Sequence, residues 1–168
     1  FGAPSAISMQ IIAHPSPNYG ERRGGAVPDI IVLHYTAMNG TSEALERLCS
    51  PDHQVSAHYV IDSRGRAYRL VDESLRAWHA GAGSWGSCVD VNSRSVGIEM
   101  ANDGMSPFSA AQMDVLEKLL CQIMDRWTIP PERVIAHSDM SPGRKSDPGA
   151  RFDWARLARS GLSVWPDE

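Results

Sequence analysis

The chain has 168 residues, 42% hydrophobic and 21% charged, enough for one compact domain with a core and too little for two comfortable ones. Its net charge of −4 and pI near 5.8 argue against a binder of bulk nucleic-acid phosphate, which would present a basic face. No apolar run approaches the roughly 20 residues of a membrane-spanning helix. Cys49, Cys88 and Cys121 are widely spaced and odd in number, so they form neither a disulfide framework nor a metal knuckle. They read as ordinary buried or half-buried thiols and fit a reducing compartment.

Residues 1–8 lack the basic start and apolar stretch of a signal peptide. They read as an extension before a natural start near Met9, with one domain over residues 9–168. Residues 14–29, rich in Pro, Gly and Arg, predict an ordered loop leading into the core. Ile30-Ile31-Val32-Leu33 has the β-branched, apolar character of a buried strand. Asn39-Gly40 marks a turn, after which Thr41 or Ser42 is expected to cap a short helix with Leu45 and Leu48 inward, stopped by Pro51.

Residues 57–62 and 66–71 alternate around Asp62-Ser63-Arg64-Gly65 and predict a hairpin. Ser95 to Met100 reads as another strand. Over 109–127, Leu116, Leu119, Leu120, Ile123 and Trp127 recur at helical period, and Ser109 and Gln112 have the spacing of a capping box. Trp127 is accordingly read as core. Pro130-Pro131 ends that helix, a short strand covers Arg133 to Ala136, and a last helix begins near Asp153. Strands alternating with helices define a mixed α/β domain, with a central mixed sheet flanked by helices.

Two of these strands end in histidine, His34 and His137, and the carboxyl ends of sheet strands are where open α/β folds place their ligands. A Pro- and Gly-rich segment after His137 presents Asp147 ten residues on. Two imidazoles and a carboxylate are a common ligand set for catalytic zinc, leaving a fourth position open. Asp147-Pro148-Gly149 reads equally well as a turn. The spacing alone leaves both readings standing.

Several stretches, in order, cover residues 29–166: Leu33-His34-Tyr35-Thr36-Ala37, Val55-Ser56-Ala57-His58-Tyr59, Ala77-Trp78-His79-Ala80-Gly81, Ser95-Val96-Gly97-Ile98-Glu99, and His137 to Asp147-Pro148-Gly149 with Phe152-Asp153-Trp154 behind it. Together they resemble the zinc-dependent N-acetylmuramoyl-L-alanine amidases of the AmpD and AmiD type, within the family that also contains peptidoglycan recognition proteins. The resemblance implies that family's fold and zinc held by His34, His137 and Asp147. It also implies catalytic roles for Glu99, as general acid–base, and Lys145, as a cation for the oxyanion. Some relatives carry cysteine at the third ligand position, and some use a tyrosine where this chain has Ala57.

The implied reaction is hydrolysis of the amide joining N-acetylmuramic acid, or its 1,6-anhydro form, to L-alanine, with zinc and no organic cofactor. Its expected partners are peptidoglycan or muropeptide fragments, met by a monomer in the cytoplasm. The cell envelope is the alternative if a leader preceded Phe1. Tyr35, Trp78, His79, Ala80 and Arg144 are candidate substrate contacts. Groove lining is favoured over a purely structural role for His79, and for Arg144 a solvated surface position is favoured over a substrate carboxylate partner. Trp78 and Trp85 suit stacking or packing, His58 packing behind the ligands, His14 and His53 the surface, and Asp139 a hydrogen bond within the ligand loop. A non-catalytic binding module and a structural zinc site, with His79 as fourth ligand, are the rival readings.

Overall fold

The computed structural model describes residues 9–166. The expectation for residues 1–8 lies outside this range. In chain order the elements are β1 (Ile11–Ala13), β2 (Tyr19–Gly20), β3 (Ile30–Tyr35), α1 (Thr41–Cys49), β4 (Tyr59–Ile61), β5 (Ala67–Arg69), β6 (Arg76–Ala77) and α2 (Val91–Arg94). They continue with β7 (Ser95–Met100), α3 (Ala110–Trp127), β8 (Val134–Ala136), α4 (His137–Met140) and α5 (Trp154–Arg159). Six strands form one sheet in the order β1-β5-β4-β7-β3-β8. Only β4 and β5 pair antiparallel in it, as the two arms of the expected hairpin. The sheet is mixed, as anticipated.

Side chains on a strand alternate between faces, and this parity organises the molecule. Ile31 and Leu33 of β3, with Val96, Ile98 and Met100 of β7, cluster with Leu116, Leu119, Leu120 and Ile123 of α3. Each of those α3 side chains is essentially inaccessible and contributes about 1.5–3 kcal/mol relative to an exposed position. The intervening residues Ile30 and Val32 join Ile135, Val91 and Met140 on the opposite face. Leu45 and Leu48 of α1 pack there too, against Val60, Leu70 and Val71. By the same alternation His34, Ser95, Gly97 and Glu99 belong to the face away from α3.

Several local expectations are refined. Gly40, not Thr41 or Ser42, is the N-cap of α1, and it makes no side-chain cap bond. Ser109 does accept the Gln112 N–H at 3.1 Å, but the Gln112 side chain does not complete a box. Its amide donates instead to the carbonyls of Ile61 and Ala101, tying α3 to the strand ends. The strands of the hairpin are shorter than the alternation suggested, because His58 and Leu70 fall outside the regular ladder. Gly65 closes the turn with φ +80, where a Cβ would also lie 2.8 Å from the Ala111 carbonyl oxygen. Cys88 is buried and Cys49 half-buried, as expected, whereas Cys121 is exposed and not buried or half-buried.

Sequence reasoning missed β1, and the stretch 14–29 contains β2, which pairs with β6. That stretch is fixed by Arg22, whose guanidinium donates to the carbonyls of Glu73, Asn92, Ser93 and Ser95. Trp127 is half-buried against the core, with its indole N–H donating to Glu73. Glu73 also accepts from the Tyr59 hydroxyl at 2.9 Å and from Arg126. No helix is long and apolar enough to cross a membrane, among the described residues.

Glu73→Ala should leave the Tyr59 hydroxyl and the Trp127 N–H without their acceptor, destabilising the fold by about 2–4 kcal/mol. Urea unfolding checks this, and an unchanged midpoint would show the cluster to be dispensable.

Candidate metal centre

Three of the sequence-predicted residues meet at the carboxyl edge of the sheet. His34 is the fifth residue of β3, His137 follows the end of β8 as the first residue of α4, and Asp147 lies in the loop beyond α4. Asp139 accepts from the Ala136 N–H at 2.8 Å and so fixes the start of α4, the structural part expected of it. The Nδ1 atoms of His34 and His137 are 2.9 Å apart, and each is 3.1 Å from the same Asp147 oxygen, Oδ2. All three residues are buried.

A near-equilateral triangle of two nitrogens and one oxygen matches one face of a tetrahedral zinc site. Bonds of about 2.0–2.1 Å give edges of about 3.3 Å in such a site. The chemistry of the far nitrogens supports the same conclusion. His137 Nε2 lies 2.8 Å from the Ala80 carbonyl oxygen, an atom that can only accept, so it carries the proton and leaves Nδ1 as a lone pair facing inward. Burial lowers the His34 pKa to about 4, with the Asp147 hydrogen bond opposing, so this imidazole is neutral at ordinary pH. Two imidazole nitrogens and a carboxylate oxygen, crowded together and buried, suit a divalent cation. His34, His137 and Asp147 could hold it.

The trio opens into a cavity of about 420 Å³, lined among others by Tyr35, Trp78, His79, Glu99, Arg144 and Lys145. Glu99 is the register partner of His34 on the neighbouring strand β7. Its Oε2 is buried and has no hydrogen-bond partner among the described residues. Burial and the Asp147 charge push its pKa up to about 8, with Lys145 pulling the other way. A carboxyl with a raised pKa lining an open cavity has the properties that suit proton transfer. Lys145 is exposed at the same cavity, two residues before Asp147.

The remaining candidates are placed as follows. Tyr35 and Trp78 are half-buried on the cavity wall. His79 also reaches it, but both of its ring nitrogens are engaged, with His34 at 2.9 Å and Ser95 at 3.0 Å. Since His79 addresses the back of His34, it stands outside the ligand triangle, and the closed four-ligand site loses its proposed fourth member. Ala80 is fully buried outside the cavity lining, with its N–H given to Asn92 and its carbonyl to His137 and Arg144. Arg144 is exposed, as expected, and donates to Ser141 and to the carbonyls of Ala80 and Ala82. His58 is buried, accepting from the Gly97 N–H at Nδ1 and meeting the Leu75 carbonyl at Nε2. His14 and His53 are exposed, and Trp85 is half-buried in a separate surface recess. Sequence reasoning did not find the supporting parts played by Ser95 and Asn92, whose side chains give no motif of their own.

Residues 24–150 match the family model described as Amidase_2, N-acetylmuramoyl-L-alanine amidase. The chain is 39% identical over 154 residues to N-acetylmuramoyl-L-alanine amidase AmiD of Escherichia coli, covering 82% of this chain and 55% of that protein. It is 39% identical over 108 residues to 1,6-anhydro-N-acetylmuramyl-L-alanine amidase AmpD of Haemophilus influenzae, covering 64% and 59%. It thus spans somewhat over half the length of these two curated relatives. A solved structure of E. coli AmiD in complex with anhydro-N-acetylmuramic acid-L-Ala-D-gamma-Glu-L-Lys superposes with a TM-score of 0.78 at 35% identity, covering 89% of this chain and 68% of that one. On the matched residues and the shared fold together, the chain belongs to the N-acetylmuramoyl-L-alanine amidase family.

Proposed function

We propose that this protein is a zinc-dependent hydrolase of the amide between N-acetylmuramic acid, or its 1,6-anhydro form, and the L-alanine of the stem peptide. The observation that carries the reading is the buried triangle of His34, His137 and Asp147, with Glu99 lining the same cavity, its Oε2 without a hydrogen-bond partner among the described residues. Family membership supports the bond attacked, and the muropeptide bound in the AmiD structure supports the 1,6-anhydro form as the substrate to try first. Zinc, when bound, supplies Lewis acidity toward an amide carbonyl and toward water.

The chain's own groups supply the rest. Glu99 takes a proton from the attacking water and delivers it to the departing amine of L-alanine, a transfer suited to a carboxyl whose pKa is raised toward neutrality. The Lys145 ammonium offers charge to the oxyanion that develops as the carbonyl carbon becomes tetrahedral. Tyr35 and Trp78 provide the wall against which sugar or peptide rests. Arg144, through its bonds to Ala80 and Ala82, keeps the segment behind His137 in place while reaching the cavity rim.

Asp147→Ala should lose zinc and turnover together, as read by metal analysis of the purified protein and by product formation. Stoichiometric zinc in that variant would remove Asp147 from the ligand set. Glu99→Gln should retain zinc and lose roughly 10²–10⁴-fold in rate, the usual contribution of a general acid–base group. A near-normal rate would take Glu99 out of the mechanism. Mass spectrometry of products from defined anhydro and non-anhydro muropeptides, alongside intact sacculi, should show release of the stem peptide with L-alanine at its new amino terminus. Zinc binding without turnover on any of these would instead identify a peptidoglycan-binding module.

A further inference from the structure

The two imidazoles of the candidate metal centre are supported from behind by one short stretch of chain, Trp78 to Gly81. The backbone of this stretch is pinned by Asn92, whose Oδ1 accepts from the His79 N–H at 3.1 Å and the Ala80 N–H at 2.8 Å. Ala80 then presents its carbonyl to His137 Nε2, while His79 presents its ring to His34. His79 Nδ1 lies 2.9 Å from His34 Nε2, and His79 Nε2 lies 3.0 Å from Ser95 Oγ. Ser95 Oγ is in turn 2.6 Å from the Val91 carbonyl oxygen.

The last link sets the direction of all the others. A carbonyl oxygen only accepts, so the Ser95 hydroxyl donates its single proton to Val91. Ser95 must therefore accept from His79, which places the His79 proton on Nε2 and leaves Nδ1 as an acceptor. That acceptor receives the proton of His34 Nε2, and His34 Nδ1 is left as a lone pair aimed at Asp147 and His137. Ser95 and its hydroxyl are fully enclosed, with water excluded from the end of the chain.

The sheet makes room for this arrangement. A Cβ at residue 97 would stand 2.4 Å from His79 Cγ and 2.6 Å from Nδ1, so Gly97 is what allows the ring to pack against β7. Its neighbours in parity, Ser95 and Glu99, belong to the same strand face, and Ser95 meets the ring. We propose that His79 is a positioning residue: together with Ser95 and Val91 it forms a directed hydrogen-bond relay that fixes the tautomer and orientation of His34 for metal binding. The proposal rests on reading His34, His137 and Asp147 as the zinc ligands.

Zinc affinity measured by competition with a chromophoric chelator tests it apart from catalysis. His79→Leu, which keeps bulk and removes the acceptor, should weaken zinc binding roughly 10–100-fold. His79→Asn, whose Oδ1 can stand where Nδ1 stood, should recover most of that loss, a rescue that mere packing would not give. Wild-type affinity in a folded His79→Leu protein would overturn the relay while leaving the metal centre intact. Absence of zinc binding by the wild-type chain would overturn both. Should His79→Leu fail to fold, nitrogen-resolved NMR of the imidazoles in the wild-type protein decides: the relay requires His79 as the Nε2–H tautomer, and the Nδ1–H tautomer would contradict it.

Discussion

The structure turns on the crowding of three electron-rich atoms at one buried point. Two imidazole nitrogens and a carboxylate oxygen stand within 3.1 Å of one another, where their lone pairs repel and little water can screen them. A cation relieves that repulsion, and much of the surrounding architecture serves to maintain it. The Ala80 carbonyl holds His137 from behind, the relay through His79 and Ser95 holds His34, and Arg144 and Asn92 hold the segment that carries Ala80 and His79.

Strand parity is what brings these groups together. In β3 and β7, alternate residues feed the apolar layer under α3, and the residues between them lie on the opposite face, where His34 and Glu99 reach the site. The parallel register sets His34 directly beside Glu99, and β8 on the other side of β3 delivers His137 one residue past its end. The proposed metal ligand His34 and the proposed proton carrier Glu99 thus come from adjacent paired strands, so their separation is fixed by the sheet. Only Asp147 and Lys145 come from a loop, and α4 with its Asp139 bond fixes where that loop begins.

The parts legible in the sequence were those written as periodicity or as spaced chemistry. The helical repeat of Leu116, Leu119, Leu120 and Ile123 located α3, and the apolar run before His34 located β3. Histidines at two strand ends pointed to the metal centre, although the residues by themselves left Asp147 divided between ligand and turn until the motif order favoured the first. What stayed hidden depends on contacts between distant residues. Thr41 has the chemistry of a cap and still lies inside α1. Gln112 has the spacing of a capping box and instead uses its amide on Ile61 and Ala101. Ser95 looked like an ordinary strand residue, and its part emerges only when Val91, four residues earlier, turns a carbonyl toward it. Ala80 stands in the motif as a candidate substrate contact, and nothing in the motif shows that its carbonyl meets His137.

Zinc-edge X-ray absorption on the purified, zinc-loaded protein tests the central claim most directly. The account predicts a first shell of nitrogen and oxygen only, at about 2.0–2.1 Å, with the outer-shell scattering of two imidazoles. A sulfur neighbour at about 2.3 Å, or a shell without imidazole scattering, would mean that His34, His137 and Asp147 do not share the metal.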